Sequence, residues 1–217
     1  MNILYIFAHP EPKSFNSSMK EMAIKTLGKK GNNVRLSDLY LMGFKPVLDQ
    51  KDFLQRKKTD SFNPFLEQMT ASKEGTFSED IMAEMEKVKW ADILIFQFPI
   101  YFTGMPAIMK GWLDRVFAAG FAFDPVKQNV YENGLMKGKK AMMVITTGAE
   151  EDWYSPGGKH GDIRELLRYI SHCIFEYVGM EVIDTHLTFG VGKMSSERGD
   201  EELNRYQEKL SSLFPNP

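Results

Sequence analysis

Residues 146–162 read TTGAEEDWYSPGGKHGD and follow the apolar run KKAMMVI, so they form a loop opening from a strand end. The loop carries Tyr154 and His160, six residues apart, together with four glycines. A tyrosine hydroxyl has a pKa of about 10, so it gives up a proton near neutral pH only with help, and histidine is the side chain able to give it. By themselves, a loop tyrosine and histidine are equally ordinary surface residues. Two other stretches carry unusual chemistry. HPEPKSFNSS, residues 9–18, sets Ser14, Asn16 and Ser17 beside His9 and Lys13. These groups and the helix N-terminus they open can donate to a phosphate, or the serines can simply cap the helix. FPIYFTGMP, residues 98–106, places Tyr101 and Phe102 at the tip of an apolar run, as a wall for a flat ligand or as cover for a core edge. Thr146, Thr147, Gly148 and Ala149 add hydroxyls and approachable backbone N–H groups, donors suited to a ring edge that becomes anionic.

The elements that must position these loops alternate along the chain. NILYIFA is a continuous apolar run, as expected of a central strand buried on both faces. The helix SSMKEMAIKTLGKKG follows, with Ser18 and Glu21 spaced as a capping box and Gly31 as its stop. Strand NVRLSDL leads to an irregular stretch from about Met42 to Gly75, too long for an ordinary connection and so expected to serve function or assembly. Helix SEDIMAEMEKVKWA, strand DILIFQFP, helix AIMKGWLDRVFAAG, strand KKAMMVITT, helix DIRELLRYISHCIFEYVG, strand EVIDTHLTF and helix EELNRYQEKLSSLF complete the pattern of five strands and five helices. Alternation of this kind predicts a parallel sheet covered by helices on both faces, with right-handed crossovers. The first turn lacks the glycines of a dinucleotide-binding fingerprint, which favours the flavodoxin-like strand order 2-1-3-4-5. In that plan ligands sit beyond the strand ends where the order reverses. The loops there are the three already singled out.

Composition narrows the partners. A chain of 217 residues, 43% apolar and 26% charged, buries one substantial core, so we expect one domain over 1–217 with the insertion at about 42–75. A formal charge of −2 without a basic block gives no footprint for nucleic acid or an anionic membrane. The start has no signal-peptide pattern and no segment reaches spanning length, so a soluble, cytoplasmic protein is expected. Cys173, the single cysteine, lies in an apolar helical pattern and reads as a small hydrophobe.

FAHPEPKSFNSSM, FSEDIMAEMEKVKWADILIFQFPIYFTGMPAIMKGWLDRVFAAGFAF and TTGAEEDWYSPGGKHGD strongly resemble the NAD(P)H:quinone oxidoreductase (DT-diaphorase-like) family, from the first strand to about HLTFGVG. The resemblance implies a homodimer that binds FAD, with FMN as the alternative, and reduces quinones by two electrons from NADH or NADPH in a hydride ping-pong cycle. It further implies that His9, Ser14, Phe15 and Asn16 hold the flavin phosphates and ribityl chain. Pro99, Ile100, Tyr101 and Phe102 would lie under the ring, and Thr146, Thr147, Gly148 and Ala149 along its N1 and O2 edge. Tyr154 would donate to the flavin carbonyl, where charge develops on reduction, with His160 stabilising the tyrosinate. Glycines 157 and 158 would let the loop turn so that both face one ligand. Phe102 and Phe123 would line the quinone pocket.

This sequence departs from the family pattern at several positions. Phe102 stands where the mammalian enzymes have tryptophan, and Ala149 replaces a glycine. The arginine near the family's adenine site aligns near Gly199, with Arg198 beside it. The sequence ends soon after SSLFPNP, short of the C-terminal extension of the larger family member, so NADH and NADPH are not distinguished. His172 aligns with a structural-metal ligand of one branch, but Glu176 stands where a second histidine is expected, so no metal is assigned. Two other roles compete with the enzyme: a flavodoxin-type electron carrier, and a regulatory ancillary flavoprotein of a potassium efflux system. Balanced charge and the Tyr154–His160 pair argue against the carrier; sequence leaves the regulatory role open.

Overall fold

The computed structural model describes residues 1–56 and 60–214. Five strands form one parallel sheet: β1 Asn2–Phe7, β2 Asn33–Asp38, β3 Ile93–Pro99, β4 Lys140–Thr146 and β5 Glu181–Thr188, in the order β2-β1-β3-β4-β5. The expected order holds. Among the described residues six α-helices accompany it: α1 Phe15–Lys29, α2 Pro64–Glu74, α3 Glu79–Trp90, α4 Ala107–Val116, α5 Ile163–Ile170 and α6 Ser196–Leu213.

Alternation along the strands divides the core. Ile3, Tyr5 and Phe7 of β1, Ile93 and Ile95 of β3, and Met142 and Val144 of β4 pack against α1 and α6. Their neighbours Leu4, Ile6, Leu94, Phe96, Ala141 and Met143 face α2, α3, α4 and α5. Strands buried on both faces need no polar alternation, which is why they read as continuous apolar runs.

Several expectations need correction. The cap of α1 is Ser14, whose Oγ accepts the Ser17 N–H at 3.2 Å; Ser18 and Glu21 lie within the helix. Gly31 does follow the helix end, with φ +77°. The stretch from Met42 to Gly75 is not wholly irregular, because it contains α2, capped by Asn63 and started by Pro64 at its first turn. The remainder is anchored by Arg115, 1% exposed, which donates to Asp52 at 2.8 and 3.1 Å and to Asp80 at 2.6 Å. Residues 57–59 of this stretch lie outside the described residues. Helix α5 gives way to a π-helical turn over Ser171–Glu176, and Cys173 on that turn is exposed rather than a core hydrophobe. His172 there pairs with Glu176 at 2.7 Å, and among the described residues no cluster of three metal-ligating side chains forms. Among the described residues no helix is long and apolar enough to cross a membrane.

Candidate active site at the sheet switch point

The carboxyl ends of β1, β3 and β4 bring the three loops together. Ala8 N–H donates to Gln97 O at 3.0 Å, and Ile100 N–H to Thr146 O at 2.9 Å, so each loop leaves the sheet in register with its neighbour.

In the first loop, the backbone N–H of Glu11 donates to His9 Nδ1 at 3.1 Å. Nδ1 also lies 3.2 Å from Glu11 O, so it is the ring nitrogen engaged by the Glu11 backbone in either tautomer. Ser14 Oγ caps Ser17, and Ser18 N–H bonds Ser14 O at 3.1 Å. The N–H groups of Phe15 and Asn16 are then the first-turn donors left at the positive end of α1. The Asn16 side chain does not point out for a ligand. It is 2% exposed, and its Nδ2 donates to Thr146 Oγ1 at 2.9 Å, which ties the first loop to the end of β4.

The second loop is a two-residue turn closed by reciprocal Tyr101–Gly104 backbone bonds of 3.0 Å. Both central residues have positive φ, Phe102 at +47° and Thr103 at +64°. This turn geometry favours Asn and Gly, and a β-branched threonine there is strained, a feature concentrated at functional sites. The turn holds the Phe102 ring fully in solvent, at 107% exposure. The Tyr101 ring is also exposed, while Pro99 is buried and Ile100 half-buried.

In the third loop the Thr146 and Thr147 hydroxyls are not free for a ring edge as expected, because both residues are buried. Thr146 Oγ1 takes the Asn16 bond and Thr147 Oγ1 donates to Ala149 O at 2.6 Å. The accessible part of this edge is the backbone at Gly148 and Ala149. Farther on, Tyr154 and His160 do meet, with ring centroids 4.9 Å apart. Gly158 allows it: a Cβ there would lie 2.3 Å from Asp152 O, so only glycine lets the chain double back. His160 N–H then closes on Trp153 O at 2.8 Å. Tyr154 is 7% exposed and packs between His160 and Phe189, whereas His160 is exposed. Burial raises the Tyr154 pKa above its usual 10.0, so the hydroxyl is a neutral hydrogen-bond donor in the resting protein.

Beyond Phe15, a groove of about 320 Å³ runs between α1 and α6, lined by Phe15, Ser18, Met194, Gly199 and Leu203. Arg198 turns away from it, bonding Glu150 at 3.3 Å and Phe189 O at 3.0 Å. Phe123 lies elsewhere, packed on Tyr177 at 5.4 Å in an apolar groove of about 390 Å³ that also includes Leu48, Phe65, Leu113 and Phe117. No contact within one chain joins Phe123 to Phe102 among the described residues. Sequence reasoning missed the fully buried Gln97, whose one signal was an amide interrupting the apolar strand DILIFQFP.

Residues 1–210 match the family described as having a flavodoxin-like fold. The mouse ribosyldihydronicotinamide dehydrogenase (quinone) is 38% identical over 213 residues, covering 98% of this chain and 91% of that protein. The guinea pig NAD(P)H dehydrogenase (quinone) 1 is 40% identical over 212 residues, covering 97% and 76%. Among solved structures, a candidate quinone reductase from Klebsiella pneumoniae superposes with a TM-score of 0.93 at 38% identity, covering 100% of this chain and 86% of that one. The chain belongs to the flavodoxin-like family of NAD(P)H:quinone oxidoreductases.

Proposed function

We propose that this enzyme uses a flavin at the switch point to pass two electrons from NADH or NADPH to a quinone. The observation that carries this reading is the convergence of a helix N-terminus with unspent donors, an exposed aromatic turn and the paired Tyr154 and His160 on one sheet edge. A bound flavin supplies hydride acceptance and donation, chemistry that no side chain here provides. His9 Nε2 and the N–H groups of Phe15 and Asn16 would hold its phosphate. Backbone donors at Gly148 and Ala149 would meet its polar edge. Tyr154 would donate a hydrogen bond or proton where negative charge develops, and His160, in ring contact, would stabilise the tyrosinate.

FAD is favoured over FMN because the groove beside Phe15 continues from the phosphate-binding mouth and leaves room for a second nucleotide moiety. Arg198, engaged with Glu150, would not reach into it. A homodimer is favoured by the open apolar groove that contains Phe123, and by the neighbouring exposed Leu66. With Phe102 and Phe123 in separate surfaces of one chain, a pocket using both would need a second copy. The ping-pong order and a cytoplasmic setting, where reduced nicotinamide nucleotides are available, belong to the same proposal.

The test is an absorbance spectrum of the purified protein, chromatography of the heat-released flavin, and steady-state quinone reduction. The expected result is a yellow protein that releases FAD, turns over quinones without a partner protein and sediments as a dimer. Release of FMN alone overturns the FAD assignment. A protein that cannot be loaded with either flavin overturns the redox reading, and a fully active monomer overturns the dimer.

A further inference from the structure

Beneath the three loops, on the α1 and α6 face of the sheet, lies a file of polar side chains in an otherwise apolar layer. Gln97, on β3, is fully buried. Its Nε2 donates to Asn16 O at 2.7 Å, in the first turn of α1. Its Oε1 accepts from Tyr5 OH at 2.5 Å, on β1. Tyr5 OH lies 3.1 Å from Tyr206 OH on α6, and the Tyr206 ring packs at a tilt against His186 of β5, centroids 4.5 Å apart. Tyr5 and Tyr206 are each 0% exposed.

The direction of every bond in this file follows from one fixed end. Asn16 O can only accept, so the nitrogen of the Gln97 amide must face it and the amide oxygen must face Tyr5. The Tyr5 hydroxyl must then donate to Gln97, and its remaining capacity is to accept from Tyr206. Burial pushes both tyrosine pKa values up, so both hydroxyls keep their protons and can serve as donors. Asn16 O sets the orientation of the Gln97 amide, and the Tyr5 hydroxyl holds the amide in place from its other end. That orientation holds the first turn of α1, where the unspent donors lie. Asn16 carries the constraint onward through its bond to Thr146, at the root of the third loop.

We propose that Tyr5 is a positioning residue for the cofactor site, acting through Gln97 to fix the first turn of α1 and, by way of Asn16, its register with the loop after β4. This rests on the flavin reading of that site. Tyr5 touches no ligand in this account; it holds the Gln97 amide in place from the side opposite Asn16.

The experiment measures dissociation constants for FAD and for FMN, by titration of the full-length chain freed of flavin. The chains compared are wild type, Tyr5→Phe, Gln97→Met, the double variant and Leu210→Ala. NMR hydrogen exchange of the Gln97 side-chain amide is followed alongside. In Tyr5→Phe the ring still fills its place but the Gln97 oxygen loses its donor, so flavin binding should weaken about tenfold. The side-chain amide should lose its protection, a signature that general destabilisation does not produce. The same substitution in the Gln97→Met background should have almost no further effect, because its route is gone. Leu210→Ala, a cavity in the same layer, should lower the Tm with little change in flavin affinity. If Tyr5→Phe does not accumulate as folded protein, Gln97→Met carries the test and should weaken flavin binding at least as much. Unchanged affinity in Tyr5→Phe, an undiminished effect in the Gln97→Met background, or equal weakening by Leu210→Ala overturns the positioning role while leaving the site reading intact. A wild-type chain that binds neither flavin overturns the site reading and this proposal with it.

Discussion

The two faces of the sheet are built from the same strands but bury different chemistry. On the face covered by α2, α3, α4 and α5, the strand layer is apolar and aromatic: Phe96 stacks on Phe175 at 4.5 Å and meets Trp112 and Phe117 edge-on. Its buried charges include Glu84 of α3, which accepts from Ser37 and Trp112, and Arg115 of α4, which bonds Asp52 and Asp80 and so ties the helices and the insertion together. On the face covered by α1 and α6, polar side chains stand in the strands themselves: Tyr5, Gln97, Thr146 and His186. Apolar contacts have no preferred direction, whereas a buried amide does. The first face therefore contributes mainly stability, and the second gives up some of it to orient the loops that carry the site.

The largest break in that comparison is a cavity on the apolar face. Phe96→Ala should cost about 3–5 kcal/mol in chemical denaturation, the range for truncating a buried phenylalanine. Flavin affinity of the remaining folded protein should be unchanged. A comparable loss of affinity without loss of stability would erase the distinction between the faces.

Much of this architecture is legible in the sequence. The central strands β1, β3 and β4 read as expected because burial on both faces leaves nearly continuous apolar runs such as NILYIF and ILIFQFP, the second interrupted by Gln97. Helix α2 was missed inside an aromatic, proline-containing stretch, although Asn63 followed by Pro64 is a start signal. The cap of α1 was placed four residues late because Phe15 and Asn16 read as loop. For the site, the three loops were legible as departures from ordinary loop chemistry. The side chains beneath them were not, since Tyr5 and Tyr206 are 201 residues apart and each reads locally as a core aromatic. Nor does sequence show that the Thr146 and Thr147 hydroxyls are committed internally.

A second, smaller effect sharpens the comparison through pH. Burial, followed by the charges of Arg205 and Lys209, lowers the His186 pKa from 6.5 to about 3, with Asp184 opposing. The folded protein thus keeps His186 neutral where the unfolded chain binds a proton. Stability linked to this group is fully present above pH 6.5 and falls as the pH drops toward 3. The slope approaches about 1.4 kcal/mol per pH unit below the unfolded pKa, hence roughly 2 kcal/mol between pH 6.5 and 4.5. Denaturation of wild type and His186→Gln over that range should show the slope in the first and its loss in the second. Parallel curves would mean that the histidine is already protonated in the fold.

The measurement closest to the central claim is stopped-flow reduction of the bound flavin by NADH and NADPH in Tyr154→Phe, His160→Gln and the double variant. These side chains are proposed to act on charge that exists only once hydride has moved, so the barrier should change and ground-state binding should not. Each single variant should slow reduction by roughly tenfold to a hundredfold, about 1.4–2.7 kcal/mol, with flavin affinity nearly unchanged. Because the rings act as one unit, the double variant should be little slower than the poorer single one. Wild-type rates in both single variants, with flavin bound, would contradict the account and remove Tyr154 and His160 from the chemistry.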